Sequence, residues 1–157
     1  MPVARRFRPA SQLVLERFVP YRLSVLTNRI SGALAAHYRR RFGLSIPEWR
    51  VMATLARFPG LSAAAVAERT AMDKVTVSRA IAGLKRAGRL GRATDGRDRR
   101  RAVLTLSPAG CSVYSRIAPF ALERECRLLA SLTPAERRAL DRLLTKLDRA
   151  AASLAEF

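Results

Sequence analysis

The stretch ATDGRDRRRAV, residues 93–103, gathers Arg97, Arg99 and Arg100 around one glycine, with Arg101 behind them and Asp95 and Asp98 interspersed. An arginine offers a planar fork of donors that grips a phosphate or a guanine edge with two bonds at once, which lysine cannot do. Upstream, KVTVSRAIAGLKR, residues 74–86, carries a second set of donors. At about 100° per residue, Val77, Ala80, Ile81 and Leu84 fall in one sector and read as its core face. The opposite sector holds Val75, Arg79, Ala82 and Arg86, flanked by Lys74, Thr76, Ser78 and Lys85. That outward face is small, polar or cationic. Such a face suits a helix that must approach base edges closely and donate to them. Thr76, Ser78 and Arg79 are therefore the expected base-edge or groove-wall residues, and Lys74, Lys85 and Arg86 the expected phosphate contacts.

The elements around these residues fit that use. SAAAVAERT, from Ser62, reads as a short helix, TAM as a tight turn, and Asp73 as the N-cap of a second helix that Gly88 stops. Ala71 stands in the turn, and its residue type points to an ordinary right-handed helical conformation there. Two short helices across such a turn describe a helix-turn-helix. RLGRA and AVLTLS then read as short strands, since Ala102, Leu104 and Leu106 alternate with Val103 and Thr105. A helix-turn-helix followed by a hairpin is a winged helix. Its tip lies over the backbone and the next minor groove, whose negative potential attracts inserted arginine. Arg97, Arg99 and Arg100 are the expected minor-groove and rim contacts, while Asp95 and Asp98 pair with them and shape the tip.

The remaining chain is helical in pattern. Residues 11–19 read as a short helix capped by Ser11 and ended or bent by Pro20. A longer one runs from Tyr21 to about Phe42, with Leu23, Leu26, Ile30, Leu34 and His37 on one stripe and Gly43 as its C-cap. IPEWRVMATLARFPG holds another helix, with Pro47 in its first turn. Ser107 and Pro108 start a helix that Pro119 should kink, and Thr133 with Glu136 forms a capping box for the last. That last helix aligns Leu140, Leu143, Leu144, Leu147 and Leu154 into a stripe too long to be satisfied within one subunit. The expected fold class is all-α with a small β-hairpin wing. Residues 46–106 form the winged helix-turn-helix, residues 11–45 and 107–155 supply dimerisation helices, and 1–157 is one subunit.

Composition narrows the function. The net charge is +18, and 27 of the 30 basic residues are arginine. Residues 71–110 carry +7 but 111–157 only +2, so the excess sits on the winged helix and upstream of it rather than at the C-terminus. Such a balance favours polyanionic partners. One histidine, His37, serves the whole chain, which leaves no His-based zinc site or multi-histidine nucleophilic machinery, and no glycine-rich phosphate loop appears. No enzyme, metal or cofactor is expected. Cys111 and Cys126, about 22 Å apart if on one helix, cannot bridge within the chain. No apolar run follows the basic start MPVARRFRPA, so a soluble, cytoplasmic protein is expected. That start reads as a basic arm, either a nonspecific DNA contact or disordered.

IPEWRVMATL, LSAAAVAERTAMDKVTVSRAIAGLKRAGRLGR, DGRDRRRAVLTLSPAG and LTPAERRALDRLL, in that order over about residues 20–150, resemble the multiple-antibiotic-resistance regulator (MarR) family of bacterial winged-helix transcription factors. The wing block is the most specific of them. The resemblance implies an obligate homodimer whose first and last helices interlock. It further implies a palindromic double-stranded DNA operator, usually repressed and released by a small ligand such as an aromatic or phenolic acid. It places that effector near His37 and Trp49. The N-terminal helix lacks the cysteine that the peroxide-sensing branch keeps there. The rival reading is a sequence-indifferent basic DNA- or RNA-binding or chromosome-compacting protein.

Overall fold

Most helices start where a side chain can take over a free backbone N–H. Ser45 Oγ accepts from Glu48 N at 3.3 Å and Glu48 Oε2 accepts from Ser45 N at 2.7 Å, a reciprocal capping box that opens α2, Ile46–Arg57. Ser62 Oγ accepts from Ala65 N to start α3, Ala63–Thr70, and Asp73 accepts from Thr76 N to start α4, Lys74–Arg86. The structure, a computed structural model, describes residues 13–94 and 102–154. Before α2 runs α1, Val19–Phe42, ended by Gly43 in the left-handed region at φ 58°. After α4 come β1, Leu90–Thr94, and β2, Ala102–Leu106, antiparallel with Leu90 opposite Leu106 and Arg92 opposite Leu104. Then follow α5, Pro108–Leu128, and α6, Pro134–Leu154.

The chain divides into two units, residues 1–110 and 111–157. In the first, Val51, Met52 and Leu55 of α2, Val66 and Ala67 of α3, and Val77, Ala80, Ile81 and Leu84 of α4 are buried, together with Leu90 and Leu104 of the hairpin. The α4 residues are those the helical period assigns inward. The hairpin is tied to the α2–α3 link, because Leu104 N donates to Leu61 O at 2.9 Å and Gly60 N to Leu104 O at 3.0 Å. Nothing in the sequence pattern marks this third, one-residue strand. At the other end of the hairpin, Ser107 N donates to Arg89 O, and Ser107 Oγ donates to Gly88 O while accepting from Gly110 N. Gly110 is buried so close to the Arg89 carbonyl that a Cβ there would overlap it, which is why SPAG ends in glycine.

The structure corrects two expectations. Residues 11–19 do not form a separate α-helix in their described part: a 3-10 turn, Leu15–Arg17, precedes α1, which already starts at Val19, and Ser11 lies outside the described residues. Pro20 does not end a helix but stands in the first turn of α1. There the missing N–H has no intrahelical partner to lose, and the fixed φ already suits the helix. Helix α5 is continuous through Pro119, as a helix that bends at a proline also is.

Ala71 is the second. It is left-handed, at φ 51° and ψ 30°, not right-handed. Met72 N donates to Ala67 O and Ala71 N to Glu68 O, the paired bonds of a Schellman ending. The end of α4 uses the same pair, Arg89 N to Leu84 O and Gly88 N to Lys85 O, with glycine at φ 65° in the equivalent place. Geometry overrides residue type at Ala71 because the chain must reverse before Asp73 can cap α4. An L-residue held left-handed costs roughly 1–2 kcal/mol, and glycine would remove that cost while giving part of it back through its freer unfolded chain. Ala71→Gly should therefore raise stability by up to about 1 kcal/mol. It should shift the urea midpoint upward at unchanged slope, and an unchanged or lower midpoint would show that the turn holds alanine without strain.

Candidate nucleic-acid interface

The N-terminus of α4 is built by one carboxylate. Asp73 Oδ1 accepts from Thr76 N at 2.8 Å, and Asp73 Oδ2 accepts from the Thr76 hydroxyl at 2.6 Å. The Thr76 hydroxyl bond, and then its backbone bond, hold the Asp73 carboxyl below the usual carboxylate range. This places Thr76 differently from its neighbours. Its hydroxyl proton is donated to Asp73 and the residue is half-buried, so what the hydroxyl has left to offer is acceptor lone pairs rather than a free donor.

Lys74, Val75, Ser78, Arg79, Ala82, Lys85 and Arg86 are all exposed on α4. Val77, Ala80, Ile81 and Leu84 hold the opposite side in the core. Expected base-edge and phosphate residues thus share one surface of one helix. Arg79 also borders a recess of about 280 Å³ with Ser45, Pro47, Glu48, Thr76 and Ala80, where the first turn of α2 meets α4. At Gly83 a Cβ would meet the end of the Glu48 side chain, so α4 lies close to α2 there.

Strand pairing ends at Thr94 opposite Ala102, so residues 95–101 join the strands. Arg97, Arg99, Arg100, Asp95 and Asp98 lie outside the described residues. Arg89, to which sequence reasoning assigns no role, ties the start of the hairpin to α1: its guanidinium donates to Phe42 O at 2.5 Å, taking up a carbonyl at the end of that helix. A lone arginine after a helix carries no sequence signal for such a contact.

His37 and Trp49 belong to one aromatic group between α1 and α2. The His37 ring lies 6.4 Å from Tyr38 and 6.1 Å from Phe42, and Tyr38 lies 5.3 Å from Trp49. His37 and Trp49 are half-buried, while Tyr38 is fully buried and its phenol is pushed up by that burial. Farther along α1, Leu23 and Leu26 are exposed and Ile30 is half-buried. In the second unit Leu140, Leu143, Leu144 and Leu147 line one side of α6, between 36% and 58% exposed, a run of apolar surface that water would otherwise cover. The Thr133–Glu136 capping box that starts α6 is present in both directions. Cys111 and Cys126 are free and exposed. Among the described residues no helix is long and apolar enough to cross a membrane.

Comparison with known proteins gives one consistent result. The family profile described as MarR family matches residues 42–101, which hold the end of α1, all of α2–α4 and most of the wing. The crystal structure of a MarR-family transcriptional regulator from Silicibacter pomeroyi is 32% identical, covers 89% of this chain and 94% of its own, and superposes with a TM-score of 0.68. Rv2887 of Mycobacterium tuberculosis, an HTH-type transcriptional repressor, is 28% identical over 131 residues, 83% of this chain and 91% of its own. BpsR of Bordetella bronchiseptica, whose DNA binding is regulated by 6-hydroxynicotinic acid, is 27% identical over 88% of this chain and 98% of its own, with a TM-score of 0.76.

Proposed function

Because the chain belongs to the MarR family of transcriptional regulators, we propose that it works in the cytoplasm as a homodimer on a palindromic operator, as a repressor that a small aromatic or phenolic acid releases. The observation that carries the DNA reading is the surface of α4: Lys74, Ser78, Arg79, Lys85 and Arg86 exposed among small side chains, above a fully apolar buried side. Residues 46–106 form the DNA-binding part, and the helices before and after it the dimer. Ser78 and Arg79 contact base edges, with Thr76 as an acceptor beside them. Lys74, Lys85 and Arg86 hold phosphate. The apolar sides of α1 (Leu23, Leu26, Ile30) and of α6 (Leu140, Leu143, Leu144, Leu147) each take a second copy as their occupant. The effector reading rests on the aromatic group holding His37 and Trp49 and on the likeness to BpsR.

Selection of bound duplexes from a random pool tests this directly. A palindrome should emerge, with half-sites about 10–10.5 base pairs apart, one turn of the duplex. Recovery of unenriched DNA would instead favour the sequence-indifferent basic protein, since specific binders prefer their site by roughly 10³–10⁷.

The wing has its own test. Arg97→Ala with Arg99→Ala should weaken binding most at operators with A·T-rich flanks, where the narrow minor groove holds its strongest negative potential. The plot of log affinity against log salt should become shallower by about 0.9 for each phosphate that the variant no longer neutralises. Unchanged affinity together with unchanged slope would make the arginine run a solvated turn.

A further inference from the structure

Val75 is the one large apolar side chain on the DNA-facing surface of α4, and it is 58% exposed. It stands second in the helix, one turn before Arg79 on the same stripe, with Lys74 and Ser78 exposed beside it. Folding gives no reason for it. A β-branched residue loses side-chain freedom in a helix, and this one adds little packing in return. Nor does its side chain enter the helix cap, where the Asp73 carboxylate accepts from Thr76 N and the Thr76 hydroxyl. With the Thr76 hydroxyl proton held by Asp73, the first turn of α4 presents Lys74 as its charged donor and Val75 as its apolar surface.

In the major groove, the one apolar group that a base presents is the 5-methyl of thymine. We propose that Val75 is a specificity-determining residue that packs against a thymine methyl in each half-site. This rests on the reading of α4 as the groove-entering helix and adds to it the identity of one base. The position of that base follows from geometry. Side chains four apart on a helix stand about 5–6 Å apart at Cβ, and base pairs rise about 3.4 Å. The thymine therefore lies one or two base pairs from the base that Arg79 reads, which its bidentate fork makes a guanine.

The test replaces the methyl from both sides. Each thymine of the selected half-site is changed in turn to uracil, which keeps every hydrogen-bonding group and removes only the methyl, and each duplex is titrated with wild type and with Val75→Ala. At one thymine, uracil should weaken wild-type binding by about fourfold, the factor for one buried methyl group. Val75→Ala should weaken binding to the unmodified operator at least as much, yet be insensitive to uracil at that position. Its melting temperature should match or exceed that of wild type, which separates a missing apolar partner from a damaged fold. Uracil without effect at every thymine, or effects that simply add in the double change, would overturn the assignment. A wild-type protein that selects no duplex at all would overturn the reading of α4 itself, and this inference with it.

Discussion

Replacing Leu143 and Leu147 together with glutamate should leave a monomer or an aggregate and lower operator affinity by about 10²–10⁴-fold, without touching α4. The two leucines are 58% and 45% exposed in the single chain, and with Leu140 and Leu144 they follow the i, i+3, i+4, i+7 spacing of one helix side. Burying a leucine fully is worth about 1.5–3 kcal/mol, so four half-exposed leucines per subunit, counted twice across a two-fold seam, hold enough apolar area to drive association. Two glutamates per chain would leave unpaired charge in that seam, and desolvating such charge costs several kcal/mol each. A separated subunit reads one half-site. It then forgoes the effective concentration, on the order of millimolar, that the first bound half-site confers on the second. Light scattering reports the mass, and circular dichroism should show helix content retained. A double variant that stays dimeric and binds normally would move the interface elsewhere.

Arg79→Ala should lower affinity for the selected operator by about 5- to 150-fold, the range of a bidentate base contact worth about 1–3 kcal/mol. Arg79 is exposed, and the residues that hold α4 in the core are Val77, Ala80, Ile81 and Leu84, so stability should not change. What separates a base contact from a phosphate contact is selectivity. Binding to scrambled duplex should hardly move, so that the ratio of the two affinities falls with the operator's. If both curves shift together, Arg79 grips only the backbone, as Lys85 and Arg86 are proposed to do. A bidentate base contact needs the planar fork of the guanidinium. A lysine, with a single point charge, should therefore recover affinity for bulk DNA but not the preference.

Much of this molecule is local, and what is local can be read from the chain. Ser62, Asp73, Ser107 and Thr133 each cap the helix that their residue type and the following spacing assign to them, because a cap needs only a side-chain oxygen within three residues of its N–H. The buried side of α4 follows from its period, since Val77, Ala80, Ile81 and Leu84 must turn from water together. The hairpin follows from alternation. Pro20 misleads because proline stops a helix in its interior and starts one at its first turn, and the residue alone does not say which.

What only the tertiary structure decided lies in contacts between residues far apart in the chain. Arg89 reaches Phe42 O across 47 positions, Leu104 pairs with Leu61, and Gly110 lies against the Arg89 carbonyl; no pattern of neighbours encodes any of these. The left-handed Ala71 belongs with them. Its side chain argues for the right-handed region, but α3 must end and α4 begin in the direction that brings both onto α2, and the packing of three helices outweighs a cost of roughly 1–2 kcal/mol at one residue. Local chemistry sets where elements start and which side they bury. Long-range packing sets the angles between them, and so which backbone bends and which side chains of α4 are left exposed together.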